Sequence, residues 1–277
     1  MPGERMGRHV IEALGKTRVV IEDGKVTEVG GPEVEYCPLF AKHRGIQLIT
    51  PDIVRENVEF RIRDFGMCTE ARKMRMKDFL SFGVSELMGM ALTKGLLDCT
   101  VIVCEGAGTV IVTDPELAQG IGGRISGILE TSPIESVIET VGKERVLDPK
   151  TAKIDQVRGV EKAVKLGFRK IGVSVASGKD AETIRKMMED SAIIFAVHTS
   201  KVSRSDAIKF LKNCDIVTAC ASKEVRKLMS ELDVMRYGNK VPIYAVSEIG
   251  KKIMAARLEQ TKTPLPTGPE DPPKPLI

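Results

Sequence analysis

From residue 156 onward the chain alternates short β-branched runs with amphipathic stretches, and few folds accommodate that rhythm. The strand-like runs are 170–176, 192–197, 215–219 and 242–246. Amphipathic stretches near 156–166, 180–190, 204–212, 223–231 and 247–259 flank and separate them. Strands alternating with helices of ~10 residues need right-handed crossovers, which lay them side by side in a parallel sheet covered by helices. The expected class is α/β, a doubly wound parallel sheet over 151–260 preceded by a mixed α+β region over 1–150. Pro149 interrupts the pattern of 147–155 and marks the boundary. The stretch 261–277 holds six prolines and no core-forming pattern, so it should be extended or disordered.

In the first region, RVVIEDGKVTEV (18–29) alternates around Asp23-Gly24, which predicts a β-hairpin. Thr50-Pro51 predicts a helix start, with Thr50 as N-cap. Residues 70–97 read as two helices broken near Gly83, and Met74, Met76, Met88 and Met90 form their apolar face. The basic run ARKMRMK (71–77) reads as a solvated helix face. Runs 100–103 and 109–112 predict two strands of a hairpin or sheet bend. Asp114-Pro115 caps a helix, and Ser132-Pro133-Ile134-Glu135 reads as a capping box starting another at Pro133.

Open parallel sheets bind ligands beyond the C-terminal ends of their strands. That rule places candidate groups at Ser177-Gly178-Lys179, His198-Thr199-Ser200, Cys220-Ala221-Ser222 and Ser247-Glu248. The structural alternative makes Ser177, Ser203, Ser222 and Ser247 ordinary helix N-caps. Imidazoles occur only at His9, His43 and His198, and His198 falls at a strand end, where it can serve as base or ligand. The stretch 99–133 contains six glycines beside Cys104, Glu105 and Arg124, a density of backbone freedom that marks a second candidate site. There Gly106, Gly108, Gly120, Gly122 and Gly123 could shape a nest for a phosphate or carboxylate, with Arg124 supplying charge. Close packing of elements is the equal alternative.

Cysteine spacing prunes the metal readings. Cys214 and Cys220 bracket one strand ~20 Å apart, and Cys99 and Cys104 lie ~16 Å apart along another. A shared site must draw on separate loops, and Cys37, Cys68 and Cys104 each lie beside Pro or Gly. Three such thiolates could hold zinc or an iron–sulfur cluster, or one could act as nucleophile; three unrelated structural thiols is the alternative. The reactive candidates are Cys104, Glu105, His198 and Cys220.

With no Trp, three Tyr, eight Phe and a net charge of +4, the chain lacks the concentrated basic face and stacking aromatics of a nucleic-acid binder. No apolar run approaches the ~20 residues that cross a bilayer. No secretory signal is visible, so the expected location is the cytoplasm, with no membrane partner. Neither a dinucleotide glycine fingerprint nor a P-loop occurs.

The segments EYCPLFAKHRGI, RDFGMCTEAR and CEGAGTVIVTDPELAQGIGGRISGILETSPIE, with the C-terminal α/β pattern, resemble the methanogenesis marker protein 8 family over most of residues 8–260. That family is archaeal, follows the distribution of methanogenesis and has no established activity. The resemblance implies a reducing, anaerobic cytosol and a link to methyl-coenzyme M reductase, its maturation proteins or its cofactors. It assigns no catalytic residue, although Cys37, Cys68, Cys104, Glu105 and Arg124 fall in the matching segments. The leading expectation is an accessory protein in methanogenesis with a thiol-lined or anion-binding site. The alternatives are an enzyme on a small phosphorylated or carboxylated metabolite, working at the C-terminal crevice, and a non-catalytic scaffold.

Overall fold

The computed structural model describes residues 7–77, 83–123, 127–262 and 270–277. Strands β1 (Arg8–Ala13), β2 (Thr17–Glu22) and β3 (Lys25–Val29) form an antiparallel meander. Asp23 and Gly24 both take positive φ (51° and 71°), which gives the tight hairpin turn expected from their identities. Helix α1 (Pro38–Arg44) follows, then α2 (Pro51–Phe65), whose first turn is capped by Thr50 Oγ accepting from the Ile53 amide at 3.3 Å. Helix α3 (Val84–Thr93) leads into strands β4 (Cys99–Cys104) and β5 (Gly108–Val112), an antiparallel hairpin. Helix α4 (Pro115–Gly122) starts at Asp114, whose carboxylate accepts two amide N–H bonds, from Glu116 and Leu117. Strand β6 (Gly127–Glu130) then returns to pair with β1, so the first sheet has the order β3-β2-β1-β6. Helix α5 (Glu135–Val141) completes this half.

Three crossovers follow. Helix α6 (Gln156–Lys165) leads to β7 (Ile171–Val175), α7 (Gly178–Met188) to β8 (Ala192–Ala196), and α8 (Arg204–Asn213) to β9 (Ile216–Thr218). Helix α9 (Lys223–Ser230), strands β10 (Met235–Tyr237) and β11 (Ile243–Ala245), and helix α10 (Glu248–Thr261) come last. The second sheet has the order β10-β11-β9-β8-β7-β4-β5 among the described residues. Pairs β4–β7, β7–β8 and β8–β9 are parallel. The run at 242–246 departs from expectation: β11 lies antiparallel to β9, because the short strand β10 turns the chain back before it. Strands β4 and β5 belong to the same sheet as β7, so the sheet spans both sides of residue 150.

Helices cover both sheet faces. Val160, Ala181, Ile184, Ala207, Phe210 and Val225 pack on one, against Val101, Val173 and Ile194. Leu87, Met88, Met90, Val137, Ile138 and Ile253 pack on the other, against Ile102, Val110 and Phe195. Cys99 falls in the first cluster and Cys104 in the second, as an odd spacing along one strand requires.

Two local expectations fail. Residues 71–77 are not helical; they run extended, with Arg72 and Met74 buried and Lys73 and Arg75 exposed. The Met76 amide donates to the Glu116 carbonyl (3.1 Å), so tertiary partners replace the helical bond pattern. The helix expected at Pro133 begins at Glu135, because Ser132 Oγ is engaged by the Arg8 amide (3.0 Å) and donates to the Arg8 carbonyl (3.0 Å). A strand contact outside the local window takes the hydroxyl that the capping box needs.

The proline-rich tail is extended where described. Lys274 pairs with Tyr36, Glu270 binds Arg226 (2.6 Å) and Arg236 (2.9 Å), and Ile277 donates to the Ala221 carbonyl (2.9 Å).

Candidate functional site

The C-terminal ends of β8 and β9 open onto a cleft of about 290 Å³. His198 and Ser200 follow β8, and Cys220 and Ala221 follow β9. Two hydrogen bonds tie these loops together: Thr199 Oγ donates to the Thr218 carbonyl (2.6 Å), and the Ala221 amide donates to Ser200 Oγ (3.0 Å). The N-terminal half supplies further lining: Glu12 of β1, Gly15 and Lys16 between β1 and β2, Cys37 at the start of α1, and Arg61 of α2. Pro273 of the tail adds to the rim.

Three of the nine non-glycine residues with positive φ among the described residues line the cleft. Lys16, His198 and Cys220 all take positive φ (58°, 53° and 44°). Such conformations cost free energy for non-glycine residues and persist where surrounding structure over-determines them, often at functional sites. Arg226 holds one of them, donating to the Cys220 carbonyl at 2.9 Å while also bound to Glu270.

His198 keeps solvent contact through the cleft mouth, yet the surrounding protein withdraws enough water to lower its pKa below the ordinary imidazole value; Glu12 opposes this. At neutral pH it is a neutral imidazole, able to accept a proton. Burial and then Arg44 pull the Arg61 guanidinium down to about 10, so it remains charged at neutral pH. Lys16 Nζ sits 2.8 Å from the Glu12 carboxylate.

A second group lies at the end of β4. Glu105 and Arg72 form a buried ion pair, each side chain only 1% exposed. Arg72 also donates to the carbonyls of Lys73 (2.6 Å) and Gly120 (2.8 Å). Cys104 Sγ donates to the Glu105 carbonyl at 3.3 Å. Burial, and then Glu105, raise the thiols of Cys68 and Cys104 well above the usual range, so both stay protonated. Burial of this kind disfavours the thiolate, the form that acts as nucleophile or ligand. The run expected to be a solvated helix face therefore supplies a buried guanidinium.

The glycine segment follows the packing alternative where it is described. Gly120 and Gly122 lie inside α4 and Gly123 caps it with φ −76°. A Cβ on Gly120 would lie 1.9 Å from the Met74 carbonyl oxygen. Gly120→Ala is therefore expected to destabilise the fold by about 2 kcal/mol through overpacking. Urea unfolding checks this, and an unchanged midpoint would mean that the segment around Met74 can move away. Gly106 and Gly108 take positive φ in the β4–β5 turn (82° and 70°), and the Gly106 amide donates to Thr131 Oγ (2.7 Å). Arg124 lies outside the described residues. Ser177 caps α7 (3.3 Å to the Asp180 amide), and Ser203, Ser222 and Ser247 cap their helices likewise. Gly178 packs against α8, and Lys179 is exposed.

The three cysteines Cys37, Cys68 and Cys104 do not form a ligand set. Among the described residues no three His, Cys, Asp or Glu side chains converge to hold a metal ion. Cys68 and Cys104 join the Arg72–Glu105 group, whereas Cys37 faces the cleft with Cys220. Among the described residues no helix is long and apolar enough to cross a membrane. Sequence reasoning missed Lys16, Arg61 and Arg72. Each sits in an unremarkable charged stretch, and only tertiary contacts distinguish it from its neighbours.

Comparison with known proteins places residues 9–259 within a family described as "Uncharacterized protein conserved in archaea" (DUF2099). The chain belongs to this family. It is also 44% identical, over 98% of its own length and 100% of the relative's, to the uncharacterized protein MJ0054 of Methanocaldococcus jannaschii. The cleft walls, the Arg72–Glu105 pair and the crossover strands all lie inside the matched span, except for the tail residue Pro273.

Proposed function

We propose that the cleft is the working site of an enzyme acting on a small carboxylated or phosphorylated metabolite. The observation that carries this reading is the meeting of a thiol (Cys220), a neutral imidazole (His198) and two cations (Lys16, Arg61) at the C-terminal edge of a parallel sheet. The cavity stands at the small end of the ~300–1,000 Å³ range of ligand pockets, which favours a metabolite over a dinucleotide. Lys16 and Arg61 hold the anionic group, Cys220 supplies the nucleophile, and His198 takes its proton. The apolar wall of Leu14, Val34 and Phe40 receives the remainder of the ligand. The resemblance of the 99–135 segment to methanogenesis marker protein 8 supports a setting in cofactor supply or maturation around methyl-coenzyme M reductase.

Thiol labelling tests the reading without a known substrate. Anaerobic, folded protein treated with iodoacetamide is expected to modify Cys37 and Cys220 and to spare the buried Cys68, Cys99, Cys104 and Cys214. Inorganic phosphate or a small dicarboxylate is expected to slow that labelling several-fold, and Lys16→Met or Arg61→Met to remove the protection. Labelling that no anion slows would overturn the proposal.

A further inference from the structure

The cleft contains one more reactive group than a single nucleophile requires. Four of the six cysteines are buried; Cys37 and Cys220 are only partly covered, and both line the same cavity. They come from unrelated parts of the chain, one preceding α1 and the other following β9, so no local pattern brings them together. Free cysteine is ordinarily among the most buried side chains, which makes two accessible thiols facing one cavity notable. Cys220 is also held in a left-handed backbone conformation. Both thiols line one cavity, and burial raises the Cys37 thiol above its ordinary value.

We propose that Cys37 and Cys220 are a redox-active dithiol that reduces a small disulfide bearing carboxylate groups. This names the substrate class of the same cleft and rests on the anion-binding reading above. Cys220 gives its proton to His198 and attacks one sulfur of the substrate disulfide. The substrate S–S bond breaks, a mixed disulfide forms on Cys220, and the first half leaves as a thiolate that takes the proton from His198. Cys37 then attacks the Cys220 sulfur as a thiolate, its proton passing to the second half as that half leaves. The substrate gains two electrons and becomes two thiols, while the protein loses two and carries a Cys37–Cys220 disulfide. A low-molecular-weight dithiol of the reducing cytosol returns the protein to its starting state. The order of attack follows from the local environment. Burial raises the Cys37 thiol and makes it the poorer first nucleophile.

The test uses the full chain, reduced and handled anaerobically, with 3,3′-dithiodipropionate as substrate probe. Bis(2-hydroxyethyl) disulfide serves as its uncharged counterpart, and suberate as its unreactive carbon analogue. The wild-type protein is expected to lose two thiols, and peptide mapping to join Cys37 to Cys220. Cys37→Ser should stall with half of the probe on Cys220, and Cys220→Ser should form neither product. The charged probe should react at least ~10-fold faster than the uncharged one, as recognition of its carboxylates by Lys16 and Arg61 requires. Suberate should slow the reaction. Thermal melts identify any variant that fails to fold, and differential alkylation of wild-type protein alone reports the same cross-link.

Absence of a Cys37–Cys220 link, with suberate still protecting both thiols from iodoacetamide, would overturn the dithiol and leave the anion-binding cleft standing. Equal rates with both disulfides and no suberate effect would overturn the anion-binding cleft and with it the carboxylated substrate.

Discussion

Replacing Glu105 by alanine is expected to cost about 3–5 kcal/mol of folding stability, because it leaves the Arg72 guanidinium charged and buried. The pair is sealed from solvent, and Arg72 bridges three chain segments: the end of β4, its own extended run, and α4 through the Gly120 carbonyl. Burial alone would lower the Arg72 pKa, but Glu105 holds it above the ordinary value. The double variant Arg72→Met/Glu105→Leu should recover much of the loss, since no unpaired charge then remains. Urea unfolding of both single variants and the double variant measures the coupling. A loss below about 1 kcal/mol for Glu105→Ala would mean that the pair behaves as a solvated surface bridge.

The second large effect is a pH dependence. His9 is 1% exposed, and its Nδ1 lies 2.7 Å from Thr131 Oγ, which also accepts from the Gly106 amide. Burial lowers its pKa from 6.5 to about 4, against a weaker opposing pull from Glu130. Between these values the unfolded chain binds more protons than the folded one. Stability is therefore full above pH 6.5 and falls as the pH drops toward 4. The loss through His9 should reach about 3 kcal/mol. His198 is shifted in the same direction, but its exposed side chain is screened by solvent and contributes little to the slope. Chemical denaturation at pH 7, 5.5 and 4, with and without His9→Gln, separates the contributions. A variant whose slope matches the wild type would show that His9 is protonated without penalty.

Acid would thus loosen the seam where β1, the β4–β5 turn and the segment after β6 meet. That seam positions the first sheet against the C-terminal edge of the second, and the cleft is built between them. The positive-φ residues Lys16, His198 and Cys220 on the cleft walls fit the same picture, since strained backbone persists where surrounding structure holds it.

The α/β class and most elements could be read directly from the chain. The hairpin at Asp23-Gly24, the helix starts at Thr50 and Asp114, and the serine caps of α7 to α10 are decided by residues within one or two turns of each other. Conformational preference and side-chain capping act at that range, so sequence alone determines them. The crossover strands were equally plain, because periodic burial leaves its mark along the chain.

Other features depended on partners far away in sequence. Residues 71–77 have the composition of a helix, yet run extended because Arg72 finds Glu105 and Gly120. Ser132 has the spacing of a cap, yet bonds to Arg8. Strand β11 has the apolar content of another parallel strand, yet the return through β10 reverses it. The site divides in the same way. His198 and Cys220 follow from the rule about strand ends, whereas Cys37, Lys16 and Arg61 reach the cleft only when the first sheet closes over that edge. Local sequence decides which elements form, because their energies are short-ranged. Only the tertiary structure decides which side chains meet, because ion pairs, thiol neighbours and cleft walls are made between segments that no sequence window contains.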